Sequence, residues 1–479
     1  MPSINTDTVK HKDWLKDKTF DNCLLNRKQF GEFLADYVCS ERDGFVLNLD
    51  SSWGTGKTEF LQRFYTELIN RNHPTIYIDA WESDFSDNPL SVVASELLLQ
   101  LEKLNSNIGQ DFSSASRVLG KLVKGSIIGA AGYLGKKYLD DSTTTVEVAK
   151  TLLGDDEVDP KHLMKKVKEG HHQQVEAIKE VRRTLSQLAE VLKQNLNTNI
   201  PVVVLVDELD RCRPSYAVEM LEVIKHFFTT KSFVFVVATD TEQLCHSIRA
   251  IYGNDFDSTR YLKRFFDRKA VLPEPDIESY VLAKAPDFSE YQQNLNLYPK
   301  FPDDGTSLAL HISYAAQSAG LGLRDLDQLI ARFEACLRVA NNMFLKNPTI
   351  NQSISVPILL MGLIEFDKDD TRFSSRSTSK ANMTTSSFNG QTPLAIRSQT
   401  YEGLTQRCLE LIAIDSSEVG KTYELNDYVT EFANQLHPLN LNSSGLLIVI
   451  ESIFLIENSN KVWNWDDHKK IIELSGYLE

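Results

Sequence analysis

The sequence predicts an α/β fold around a mainly parallel sheet buried on both faces, and three observations carry that prediction. Phe45–Asp50, "PVVVLVDELD" (201–210) and "SFVFVVATD" (232–240) are short, nearly continuous apolar runs, the pattern of strands covered on both sides. Helically spaced segments follow these runs, so strand and helix alternate as in a doubly wound sheet. At 479 residues, 42% hydrophobic and 24% charged, the chain is a folded globular protein too long for one ordinary core.

In chain order, the strand 45–50 leads into "KTEFLQRFYTELINRN" (57–72), with Phe60, Leu61, Phe64, Leu68 and Ile69 at helical spacing. "TIYIDAW" (75–81) is a second strand and "DNPLSVVASELLLQLEKL" (87–104) a second helix. Residues 1–104 thus form the first half of a core, and 105–200 a mainly helical insertion ending in the amphipathic stretch 161–195, polar enough to suggest an exposed hairpin or coiled segment. Residues 201–285 supply the second half. Residues 286–365 read as a helical lid, 366–400 as a flexible Ser/Thr-rich linker and 401–479 as a helical C-terminal region.

Between the first strand and its helix stands "DSSWGTGKTEF" (50–60). A strand feeding a glycine loop into a helix gathers backbone N–H groups and a helix N-terminus around one point, which suits an anion. Ser52, Trp53, Gly54, Thr55, Gly56, Lys57, Thr58 and Glu59 are therefore the candidate nucleotide-binding segment, with Lys57 reaching phosphate oxygens and Thr58 offering its hydroxyl to Mg2+. The usual pattern, G-x-x-x-x-G-K-S/T, wants glycine where this chain has Ser51, so the match is weakened without being broken. The strand 201–207 then ends in Asp207 and Glu208, suited to holding Mg2+ and to polarising an attacking water. The plain alternative is that both only cap a strand. Order, strand context and an additional strand between the two motifs favour a P-loop NTPase core with these Walker A and Walker B elements. Thr239, at the tip of the strand 232–240, either senses the γ-phosphate or ends a strand in a turn. No N-K-x-D-type base-reading motif is evident, which favours ATP over GTP.

"SSWGTGKTEFL", "IDAWESDFSDNPL", "VLVDELDRCRP", "FVFVVATDTEQL" and "RYLKRFFDRKAVLP" occur in this order, and together they resemble the KAP family of P-loop NTPases over about residues 20 to 340. The resemblance implies phosphate binding by Gly54, Gly56, Lys57 and Thr58, and magnesium at Asp207. Glu208 falls where members often carry aspartate, so the acidic pair looks closer to an AAA+-type hydrolytic site. Arg211 and Arg213 match the family's basic positions after the acidic strand. Arg264 matches a basic residue that reaches a phosphate within the subunit or across an interface, and Arg324 resembles a second sensor arginine; for both, a surface ion pair is the bland alternative. The resemblance also implies an oligomer working in a bacterial antiphage defence or genome-conflict setting with a separate effector protein.

Many members insert a transmembrane hairpin between the two motifs, but the apolar core of "KLVKGSIIGAAGYLGKKYL" (121–139) is too short to span a bilayer. The expectation is a cytoplasmic protein with at most a peripheral membrane contact through 121–139. A net charge of −15 argues against coating by nucleic acid. The basic, aromatic "RYLKRFFDRK" is expected near the nucleotide site, so nucleic-acid binding is without support. Six scattered cysteines with no C-x-x-C pair read as reduced thiols. Ten histidines form no H-E-x-x-H set, and His171 and His172 are expected to face solvent. Two readings follow: an ATPase completed by oligomerisation, or a nucleotide-operated switch with little turnover.

Overall fold

A computed structural model describes residues 4–86, 89–104, 179, 182–194, 197–227, 230–299, 307–376, 401–412 and 461–476. It divides into two compact units, Met1–Glu274 and Pro275–Glu479.

The first unit is built on a five-stranded, wholly parallel sheet of β1 (Phe45–Asp50), β2 (Thr75–Asp79), β3 (Val202–Asp207), β4 (Phe233–Thr239) and β5 (Arg268–Val271), in spatial order β2-β3-β4-β1-β5. Valine and leucine fill β3 because both faces are covered, and Val202, Val203, Val204, Leu205 and Val206 are fully buried. Register sets the strand ends level: Asp50 lies opposite Thr239, and Asp79 opposite Asp207. Since β4 separates β1 from β3, the glycine loop and the acidic pair leave the same sheet edge with one strand between them. In open α/β sheets that carboxyl edge is where ligands sit.

Helix Lys57–Asn70 buries Phe60, Leu61, Phe64 and Leu68 in the core of this unit. The helix at 182–194 buries Leu185, Leu188, Ala189 and Leu192 in the same core, where the sequence suggests an exposed segment. These four follow i, i+3, i+4, i+7 spacing, a stripe that the polarity of the longer stretch 161–195 hides. The segment 121–139, His171 and His172 lie outside the described residues.

The second unit packs helices around a three-stranded parallel sheet of β6 (Asn296–Tyr298), β7 (Gln352–Ser355) and β8 (Lys461–Val462), with β7 central. The sequence reads this region as mostly helical, with a Ser/Thr-rich linker and no strand. Strands this short, with Gln352, Ser353 and Ser355 in the middle one, carry no apolar alternation to announce them. Helix Val356–Asp367 is buried from Val356 to Glu365, as expected of a helix apolar on nearly all sides. Its Glu365 takes two charge-assisted bonds from Arg376 (2.6 and 2.8 Å), whose guanidinium lies 4.5 Å from the Trp465 ring centroid. Residues 366–376, assigned by the sequence to the head of the Ser/Thr-rich linker, therefore carry a helix end, the helix Thr371–Ser375 and a buried ion pair. Residues 377–400 and 413–460 lie outside the described residues. None of the six cysteines forms a disulfide. Among the described residues no helix is long and apolar enough to cross a membrane.

Candidate functional site

Beyond Asp50 the chain turns through Ser51–Gly56 into helix Lys57–Asn70. Gly54 (φ +79°) and Gly56 (φ +87°) occupy the left-handed region, where a Cβ is costly, so the glycines fall where the turn needs them. Ser51 is not among the residues with positive φ. Its amide donates to Thr239 O (3.1 Å) and its hydroxyl lies 2.5 Å from Thr55 Oγ1, which in turn donates to Ser52 O (2.9 Å). Serine fits because no glycine conformation is required there. The first-turn N–H groups of the following helix have no intrahelical acceptors and converge on the loop, as anion binding needs.

Lys57 donates to Ser51 O (2.6 Å) and Ser52 O (3.2 Å), with its amine 3.8 Å from Asp210 Oδ2. Asp210 also accepts the indole N–H of Trp53, while the Trp53 amide donates to Asp240 Oδ2 (3.1 Å). The loop is thus tied to the turns after both β3 and β4. Arg27, 2% exposed, donates to Pro273 O (2.6 Å) and approaches Gly56 O (3.5 Å); burial lowers its pKa to about 10. Neither Asp210 nor Arg27 is singled out by sequence reasoning. Asp210 lies inside "VLVDELDRCRP", where its spacing from the acidic pair was the available signal, whereas Arg27 has none.

Asp207, 1% exposed, ends β3. Burial raises its carboxyl pKa, while hydrogen bonds from the Tyr77 hydroxyl, the Thr58 hydroxyl and the Glu208 amide favour the ionised form. Thr58 and Asp207, the two sequence-predicted metal ligands, therefore face each other. Glu208 stands at φ +56° and opens the turn Leu209–Arg211, a conformation uncommon for a side chain of this kind. Burial raises its pKa, opposed by the Arg211 guanidinium 2.8 Å from Oε1.

The remaining expected residues are distributed differently. Thr239 reaches the same edge and takes the Ser51 amide on its carbonyl, but its hydroxyl donates to Asn48 Oδ1 (2.9 Å), and it is the Asp240 side chain that touches the glycine loop. Glu59 opens helix Lys57–Asn70 with its carboxylate between Lys18 and Arg63 (2.6 Å each), which hold its pKa below the usual value against the opposing effect of burial. Arg213 pairs with Asp84 (3.0 Å), and Arg211 lies 5.9 Å from the ring centroid of Trp81, an exposed residue.

Arg264 is exposed and approaches the sheet elsewhere. The Asp267 amide donates to Val46 O, and the Val46 amide to Asp267 Oδ2, both at 2.9 Å. Arg264 therefore stands before β5 at the edge where β1 begins, while the glycine loop leaves where β1 ends. The part of "RYLKRFFDRK" that precedes β5 is correspondingly not beside the candidate site, contrary to the sequence expectation, whereas Lys269 at its end pairs with Asp50 (2.7 Å), just before the glycine loop. Motif order gave the right strand but not which end of it the cluster meets. Arg324 is exposed in the first turn of helix Leu323–Lys346, in the second unit.

The donor set fits a nucleotide phosphate with a divalent cation: glycines at positive φ, a helix N-terminus, a lysine, and a hydroxyl facing a buried carboxylate. A family model described as the KAP family P-loop domain matches residues 27–279, more than half of the chain. No curated protein matches it.

Proposed function

The chain belongs to the KAP family of P-loop NTPases, and from that premise we propose that it binds ATP with Mg2+ and hydrolyses it to drive assembly or conformational change. One observation carries the reading: Trp53 and Lys57, in and just after the glycine loop, reach Asp210 in the turn that follows Asp207, on a strand that is not adjacent to β1. Phosphate-binding and metal-binding groups so joined form one site. Lys57 and the loop amides bind and orient the phosphates, while Thr58 and Asp207 hold the cation. When bound, Mg2+ neutralises charge on the phosphates and polarises them. Glu208 orients the attacking water and takes up its proton.

Arg264 serves the site of a neighbouring copy, not its own. This is supported by its place at the opposite sheet edge, where Arg260 and Lys263 are also exposed. At the carboxyl edge Glu208 and Asp84 are already paired with Arg211 and Arg213 of the same chain. An arginine that faces away from its own site suits a head-to-tail homo-oligomer. By family resemblance the setting is bacterial antiphage defence with a separate effector, in the cytoplasm and at most peripheral to a membrane.

A second reading, a nucleotide-operated switch with little turnover, is favoured by the ion pair Arg211–Glu208, which engages the catalytic carboxylate. ATP turnover and solution mass of wild type, Lys57→Ala and Glu208→Gln separate the two. The ATPase reading expects Lys57→Ala to lose nucleotide binding, and Glu208→Gln to lose turnover by a factor on the order of 100 or more while retaining an ATP-bound oligomer. Binding without turnover in wild type, unchanged in Glu208→Gln, would establish the switch.

A further inference from the structure

Tyr77 sits in the middle of β2, opposite Leu205 of β3. Alternate residues of a strand share a face, so its side chain lies on the same face as Leu205 and Asp207. The two-residue step from Leu205 to Asp207 spans about 6.6 Å along the strand, close to the reach of a tyrosine ring and its oxygen. The Tyr77 hydroxyl accordingly meets Asp207 Oδ2 at 2.8 Å, and the Glu208 amide takes Oδ1 at 2.9 Å.

The surroundings fix this tyrosine unusually well. β2 is an edge strand, so the backbone groups of Tyr77 that face away from β3 have no neighbouring strand. Gln100 replaces it, accepting from the Tyr77 amide (3.1 Å) and donating to its carbonyl (2.7 Å) from a position 3% exposed. The ring is held edge-on by Trp14 (centroids 5.0 Å) and His11 (5.5 Å). Backbone, ring and hydroxyl are each restrained, and the restrained hydroxyl ends on the carboxylate that meets the metal.

We infer that Tyr77 is a positioning residue for the magnesium site: its hydroxyl holds the Asp207 carboxylate in the orientation that receives the cation. This rests on the ATP·Mg2+ reading above. Groups that orient a metal ligand through a hydrogen bond commonly change metal affinity about 10- to 100-fold when removed. The role differs from general packing, because Tyr77→Phe keeps the ring and its aromatic contacts.

The test titrates a fluorescent ATP analogue against wild type, Tyr77→Phe and Tyr65→Phe, first in EDTA and then at stepped Mg2+. Tyr65 is the control, since its ring borders the same aromatic group 5.6 Å from those of His11 and Trp14. In Tyr77→Phe the metal-free affinity is expected to stay at the wild-type value, while the Mg2+ concentration for half-maximal tightening rises about 10-fold or more. Turnover is expected to recover at saturating Mg2+, and Tyr65→Phe to titrate as wild type. Equal Mg2+ midpoints in wild type and Tyr77→Phe would overturn the inference alone. So would an equal loss of metal-free affinity, which marks a merely structural role. Failure of wild type to bind the analogue at all would overturn the phosphate-site reading and this inference with it.

Discussion

Ser51 stands where the glycine loop leaves β1, and its backbone makes no demand that only glycine meets. Restoring the usual residue therefore offers no relief of strain. Ser51→Gly removes the hydroxyl bonded to Thr55 and adds freedom to the unfolded chain, so it is expected to cost about 1 kcal/mol in urea unfolding without weakening nucleotide binding. Gly56→Ala is the contrast: at φ +87° a Cβ is expected to cost about 1–2 kcal/mol and to distort the loop, lowering affinity as well. A tighter-binding Ser51→Gly would show that serine compromises the loop. The residues of the site that the sequence reveals are those whose chemistry depends on spacing along the chain: Gly54, Gly56, Lys57, Thr58, Asp207 and Glu208. Tyr77, Asp210 and Arg27 act through partners far away in sequence. Tyr77 in particular reads only as one more apolar residue of a strand until register sets it beside Asp207.

Helix Lys28–Ser40 packs close to the turn Phe20–Asn22 through Gly31, which is buried. Helix propensity alone favours alanine over glycine by about 1 kcal/mol. Here a Cβ would collide with the far edge of the Phe20 ring, which cannot move aside as the tip of a flexible chain can. Gly31→Ala is thus expected to destabilise by about 1–3 kcal/mol in urea unfolding, the overpacking outcome, and Phe20→Leu in the same chain to return part of it. A stabilised Gly31→Ala would mean that propensity outweighs contact. Elements differ in how far they announce themselves for similar reasons. β1, β3 and β4 are largely apolar because helices cover both faces, whereas β5, with Arg268 and Lys269 exposed, is a short charged edge that blends into the segment around it. The strands β6, β7 and β8 are shorter still, and β8 meets β7 only through a segment far along the chain.

Each unit carries its own core, and each holds histidine in neutral form, His11 half-buried in the first unit and His311 and His468 fully buried in the second. Burial lowers His11 in the first unit, and His311 and His468 in the second, to about pH 4. The His311 tautomer follows from its partners: Nε2 donates to Pro299 O (2.7 Å) and Nδ1 accepts from the Tyr401 hydroxyl (3.1 Å). In the folded chain these rings stay neutral down to about pH 4, whereas unfolded histidine takes up a proton below about 6.5. Acid therefore favours unfolding across that window, and stability present above pH 6.5 is lost as the pH falls toward 4. At pH 5 the loss is on the order of 2 kcal/mol for each fully buried ring. Asp207 and Glu208 work in the opposite sense, because burial raises their pKa values, so the whole-chain slope is a difference between terms. His311→Gln separates them, since glutamine can donate to Pro299 and accept from Tyr401 but does not titrate. The melting temperature of wild type is expected to fall between pH 7 and pH 5, and that of His311→Gln to fall less. Equal falls would mean that His311 takes up its proton without unfolding, and that the second unit tolerates a charge at its centre.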